Sequence, residues 1–220
     1  MITGGDVMKK LFCLFFILIM LLSGCIRYDE HIYINQDGSG RVIFKMGFAD
    51  ETGMFEGDFK EITAEIEKES KEALKASRGI IFVDSKSYVD AGVEWSEFIL
   101  EFESLEELVH ALEYDIAFSP GGMGFIKESD HFFYRRTLPP SDFASSDDFG
   151  LGFDEYIPLD ILGPYLADTY WGYTVTFPGH ILETDVLGDE VNQEFNTVHW
   201  SIEVMDLLTN GKDMWAKIAL

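Results

Sequence analysis

The side chains best suited to chemistry in this sequence are one thiol, one oxygen-rich turn, five histidines and one acidic loop. Asn35-Gln36-Asp37-Gly38-Ser39-Gly40 puts oxygen donors at alternate positions ahead of a glycine, as a calcium loop does. The twelfth position is Met46, where such a loop needs a bidentate glutamate, so the segment reads as a plain turn. His31, His110, His131, His180 and His199 are scattered, with no His-Glu-x-x-His pair, and no metal site is expected. Ser141, Ser145 and Ser146 sit among Asp142, Asp147, Asp148 and Asp154, a loop that reads as solvated rather than as a preorganised nucleophile or cation site. No Gly-x-Ser-x-Gly elbow and no phosphate loop occur. No catalytic residue and no cofactor are therefore assigned. Cys25 differs from all of these: Ser23 and Gly24 before it leave the backbone open to a peptidase, and its thiol can be alkylated.

The elements upstream suit that thiol. Met8-Lys9-Lys10 opens a short positive stretch, and Leu11 to Leu22 is almost purely apolar. The run is long enough for a secretion signal and short for a bilayer span. With Leu22-Ser23-Gly24-Cys25 it resembles the lipobox of bacterial lipoproteins. The resemblance implies that residues 1–24 are a cleaved signal peptide and that Cys25 carries a diacylglycerol. Cys13 then leaves with the signal, and the mature chain holds no pair for an intramolecular disulfide. The lipid is the expected membrane anchor, since two acyl chains hold firmly where one holds marginally. The implied location is the extracytoplasmic face of a cell membrane or outer membrane. Ile26, where the sorting rule of two-membrane cells places Asp for inner-membrane retention, favours the outer one.

Composition narrows the partners. The net charge is −24, and removing Lys9, Lys10 and Asp6 leaves 14 basic against 39 acidic side chains in 196 residues, net −25. That length suits one domain, and 47% hydrophobic content is enough for a core. Without a basic stripe to release counterions, nucleic acid is excluded as a partner. Attraction of the domain itself to anionic headgroups is excluded on the same ground.

Period-two alternation predicts a hairpin over 28–48, a second pair of strands at 80–88 and 94–103 around Asp90-Ala91-Gly92, and a third at 121–127 and 131–137. Phe59, Ile62, Ile66 and Ala73 fall on one stripe, with Leu74 beside it, and predict a long amphipathic helix over 58–77. Ser104-Leu105-Glu106-Glu107 is a capping box opening a short helix with Leu105, Leu108 and Leu112 inward. Pro139-Pro140 begins a long loop over 138–167. A strand follows at 169–177, then a further pair at 180–186 and 196–204, and a last strand from Asp213. The expected fold is α+β: one antiparallel sheet of hairpins packed by the long helix and the short one.

The run Tyr173 to Thr184, carrying Pro178-Gly179, followed by Asn196-Thr197-Val198-His199-Trp200-Ser201, resembles the C-terminal signature of LppM-type lipoprotein domains. The lipobox, the Asp37 to Gly40 hairpin turn and the capped helix fall where that family has them, and the likeness covers most of residues 25–205. It implies an extracytoplasmic α+β domain over 25–220, with a role in binding envelope lipids or lipoglycans, and it carries over no catalytic residue. Pro178 and Gly179 read as structural, since proline suits a strand end and glycine allows a bend.

The aromatic side chains are the remaining signal. Trp171, Tyr173 and Phe177 share a strand face, Phe143, Phe149 and Phe153 lie on the preceding loop, and Trp200 is on the returning strand. They line an apolar pocket with the loop as lid, or they are core. The expected function is a lipid-anchored, non-enzymatic binding domain for a lipid, glycolipid or other amphiphile. The alternative is a protein–protein module of an envelope assembly.

Overall fold

A computed structural model describes residues 26–48, 64, 67–68, 71–72, 74, 79–111, 122–128, 130–140, 169–186 and 188–219. Strands β1 (Ile26–Ile34) and β2 (Gly40–Phe48) make the first hairpin, with Ile32 opposite Val42. Successive strand residues face opposite ways, so Tyr28, Glu30, Ile32 and Ile34 look inward while Asp29, His31 and Tyr33 look out. The turn between them is closed on itself. The Asn35 amide donates to the Ser39 carbonyl, and the Asp37 carboxylate accepts from the Ser39 amide and hydroxyl. Those two bonds from Ser39 hold the Asp37 carboxyl below its ordinary range.

The second hairpin joins β3 (Ile80–Asp90) to β4 (Val93–Phe102). Its turn has positive φ at both Ala91 and Gly92, as tight two-residue hairpin turns require. Helix α1 (Leu105–His110) starts where the capping box predicts, the Ser104 hydroxyl accepting from the Glu107 amide at 3.2 Å. The third hairpin is β5 (Gly122–Lys127) and β6 (His131–Leu138). Then come β7 (Tyr170–Thr176), β8 (Ile181–Thr184), the short β9 (Val191–Asn192), β10 (Thr197–Glu203), α2 (Val204–Asn210) and β11 (Lys212–Ala219).

These strands form two sheets. The larger runs β3-β4-β2-β1-β7-β10-β9 and the smaller β5-β6-β11-β8. β1 and β7 pair in parallel. Their inner faces meet in one core, with Ile32, Val42, Tyr173, Val175, Val198 and Trp200 from the larger sheet against Tyr134, Met214, Ala216 and Ile218 from the smaller.

The fold therefore corrects the α+β expectation. The described chain is mainly β, with two sheets and two short α-helices of described bounds, and no long amphipathic helix is among its elements. Among the described residues the apolar face of the larger sheet meets the inner face of a second sheet, since β6 and β11 alternate buried and more exposed positions along their length. Of the stretch 58–77, the structure describes Ala64, Glu67, Lys68, Lys71, Glu72 and Leu74. These have helical backbone, and Leu74 is buried. The expected stripe at Phe59, Ile62, Ile66 and Ala73 lies outside the described residues, as does Leu112. No described helix is long and apolar enough to cross a membrane.

The strands at 180–186 and 196–204 also part company. β8 pairs with β11 in the smaller sheet, while β10 pairs with β7 and β9 in the larger. Pro178-Gly179 is the corner where the chain leaves one sheet for the other. A Cβ on Gly179 would lie 1.8 Å from the Ala219 carbonyl oxygen, so the glycine is required by close backbone approach.

Candidate functional site

The aromatic residues singled out from the sequence divide cleanly. Trp171, Tyr173, Phe177 and Trp200 are all buried and belong to the inter-sheet core. Phe143, Phe149 and Phe153 lie outside the described residues, as does the 141–168 part of the expected lid. Cys25 lies outside them too, one position before β1 begins.

The core those aromatics fill is not purely apolar. Glu30 on β1 and Arg136 on β6 are each 1% exposed and pair across the sheets at 2.8 Å. The Arg136 guanidinium carbon lies 4.4 Å from the Tyr173 ring centre and 5.0 Å from that of Trp171, a cation–π arrangement strengthened by exclusion of water. The Tyr134 and Tyr173 hydroxyls meet at 2.5 Å. Around this pair the Tyr28 hydroxyl, Glu30 Oε2 and the Trp171 indole nitrogen have no hydrogen-bond partner among the described residues. Burial pushes the Glu30 carboxyl up, and Arg136 pulls it back only in part. Burial also opposes the Arg136 charge, but Glu30, Tyr173 and Tyr134 outweigh it and the guanidinium stays charged. Sequence reading missed this pair. The signal was present: Phe132, Tyr134, Arg136 and Leu138 alternate, as do Tyr28, Glu30 and Ile32, and each places a charge on an inward face.

Beside this core opens a cleft of about 530 Å³. Its walls are apolar: Ile34 at the end of β1, Leu105 and Val109 of α1, Met123 and Phe125 of β5, Phe132 of β6, and Pro178 at the corner. Phe125 stacks on Phe132 with ring centres 5.4 Å apart and tilts against Tyr134, so the cleft wall rests on the rigid core. Its lip is polar, formed by Asn35, Gln36 and Asp37 of the first turn with Glu106 and Lys127. A concave apolar floor with a few polar groups at its edge is the usual build of a small-molecule site, and the volume lies within the usual range. Of the residues marked in the sequence, Pro178 and the Asn35–Asp37 turn line this cleft. Ile34, Val109, Met123, Phe125, Phe132 and Lys127 were legible as members of strands or a helix. Their convergence was not, because α1 meets β5 only in three dimensions.

The outer face of the larger sheet carries a second polar group. His31 Nε2 lies 2.9 Å from the Thr176 hydroxyl, and His199 Nδ1 lies 2.8 Å from that of Thr174. Burial pushes the His31 imidazole down to about 4, with Lys45 and His199 acting the same way.

Fold and site together define a two-sheet, mainly β domain with an open amphiphilic cleft at one end of the sandwich. Among solved structures the chain is similar to the NMR structure of the folded domain of Mycobacterium tuberculosis LppM. The identity is 12%, over 89% of this chain and 90% of that one, with a TM-score of 0.47. No family model matches the chain, and no curated protein matches it.

Proposed function

We propose that this chain is a lipid-anchored extracytoplasmic binding domain that holds one apolar or amphiphilic envelope molecule, a lipid or glycolipid, in the cleft between α1 and the β5–β6 hairpin. The observation that carries the reading is the cleft itself, apolar within and polar at the lip. At about 30 Å³ per water-sized group, which a methylene closely matches, its volume takes on the order of eighteen such groups. That is room for one acyl chain. The lipobox at Leu22 to Cys25 supplies the membrane attachment. The role is binding rather than catalysis, since the polar groups at the lip are already engaged in shaping a turn or stand in solvent.

Titration of the mature domain with a fluorescent fatty acid tests this. Val109→Glu places a carboxylate on the cleft wall and is expected to weaken binding at least tenfold, about 1.4 kcal/mol. Ile126→Glu, on the exposed side of the same hairpin, is expected to leave binding unchanged. Equal affinities for both variants would refute the assignment.

One observation favours the second reading, an envelope protein partner. β3 is an edge strand of 11 residues whose Ile81 and Val83 are exposed, and open edges invite strand pairing. A bulge between Phe82 and Asp84 interrupts that edge. The cleft therefore remains the preferred site.

A further inference from the structure

From the position of β1 we infer that the cleft is held clear of the membrane that anchors the domain, with the opposite end of the larger sheet facing the bilayer. The inference rests on lipidation of Cys25 as proposed above, and adds where the site works. β1 starts at Ile26, the residue after Cys25. The tether therefore has no slack between lipid and folded strand.

β1 is also the central strand of seven, with β2, β4 and β3 on one side and β7, β10 and β9 on the other. The register places the end of β2, the Asp90–Val93 end of the second hairpin, Tyr170 and Glu203 level with the start of β1. α2 follows Glu203 at that same end, its first amide donating to the Thr169 carbonyl. Anchored at its middle, this end of the described sheet faces the headgroups. Tipping in the plane of the sheet drives the ends of β3 or β10 into them, and tipping toward the smaller sheet is blocked by α2. Asp90, Glu94 and Glu203 oppose deeper seating against an anionic surface, while Tyr170 is an exposed aromatic suited to the interface.

The cleft lies the other way along β1. Its lip, Asn35 to Gly38, follows Ile34, eight steps of about 3.3 Å from Ile26, or roughly 26 Å. Its nearest wall, Met123, is in register with Arg136, which meets Glu30 about 13 Å from the start of the strand. The headgroup layer is only about 5–8 Å deep on each side of the bilayer. A domain fallen onto the outer face of the larger sheet would instead bring the Asn35–Gly38 lip, which belongs to that sheet, down to the headgroups, and dyes at the two ends of β1 would then report equal heights. Standing on the end where β1 begins, the domain holds a ligand in the cleft clear of the anchoring leaflet. The geometry suits carriage to or from an acceptor facing the distal end, not sampling of lipids still in the leaflet.

The test uses the full lipidated protein in phosphatidylcholine vesicles carrying a headgroup acceptor dye. Donor dyes are placed singly by Asp90→Cys and Asp37→Cys, both exposed positions. Energy transfer is expected to be strong from position 90 and weak from 37, a height difference of roughly 26 Å. Ten Gly/Ser residues inserted between Cys25 and Ile26, spanning about 17 Å, are expected to collapse that difference. Equal or inverted heights in the parent protein overturn the inference. A protein that fails to bind vesicles and shows an unmodified Cys25 by mass overturns the anchor itself, and the orientation with it.

Discussion

Replacing Arg136 with methionine leaves the Glu30 carboxylate sealed between two sheets with no counter-charge. Both side chains are 1% exposed, their contact is 2.8 Å, and Glu30 Oε2 already lacks a partner. Removing one member of such a pair typically costs about 3–5 kcal/mol. Against a total stability of about 5–15 kcal/mol, that is a large fraction. At about 2–4 °C per kcal/mol for a domain of this size, Tm should fall by roughly 6–20 °C. The pH dependence gives an independent sign. With Arg136 gone, burial alone acts on Glu30 and raises its carboxyl further, so the folded state binds a proton that the unfolded state does not. Arg136→Met should therefore regain stability as pH falls toward the ordinary carboxylate range and lose it as pH rises. The double variant Glu30→Met with Arg136→Met removes both charges and should be near the parent or more stable. Urea unfolding followed by tryptophan fluorescence reads all three. A single variant within about 1 kcal/mol of the parent, or a double variant as damaged as the single, would refute the claim that these residues are a desolvated pair.

Three further outcomes follow from the geometry. Gly179→Ala sets a methyl against the Ala219 carbonyl and should cost about 1–3 kcal/mol, whereas Gly124→Ala, with open space at its Cβ, should not; thermal unfolding of the two variants decides. Because burial depresses His31 to about 4, its contribution is present above the ordinary histidine value and lost as pH falls through 4. Denaturation between pH 6.5 and 4 should therefore show a loss of stability that His31→Gln flattens. Tyr134→Phe removes one of two partners of the buried Tyr173 hydroxyl, which keeps its hydrogen bond with Arg136, and should cost about 0.5–1.5 kcal/mol in the same assay.

What the sequence discloses here is what neighbouring residues decide together. The Asp37-Gly38 and Ala91-Gly92 turns, the Ser104 cap and the buried face of β7 all depend on contacts within a few residues. Each is found where alternation or turn chemistry places it. The parallel pairing of β1 with β7 depends on strands some 140 residues apart, and no local pattern specifies it. The helix-covered sheet was the wrong inference for the same reason: an inward apolar face says that something must cover it, not what. Pro178-Gly179 was recognisable as a break, but its role as the passage between sheets needed the Ala219 carbonyl in view. The cleft shows the limit most plainly. Val109, Phe125 and Pro178 come from a helix, a strand and a corner, and nothing in their spacing announces a shared wall. The aromatic cluster that did stand out, Trp171, Tyr173, Phe177 and Trp200, stood out because it is the core.

Native mass spectrometry of the mature protein, released gently from the membranes that produced it, addresses the central claim most directly. The expected spectrum shows one noncovalent adduct of single-acyl-chain size per polypeptide, abolished by Val109→Glu and retained in Ile126→Glu. A bare polypeptide mass in the parent, or an adduct indifferent to Val109→Glu, would contradict a ligand seated between α1 and the β5–β6 hairpin.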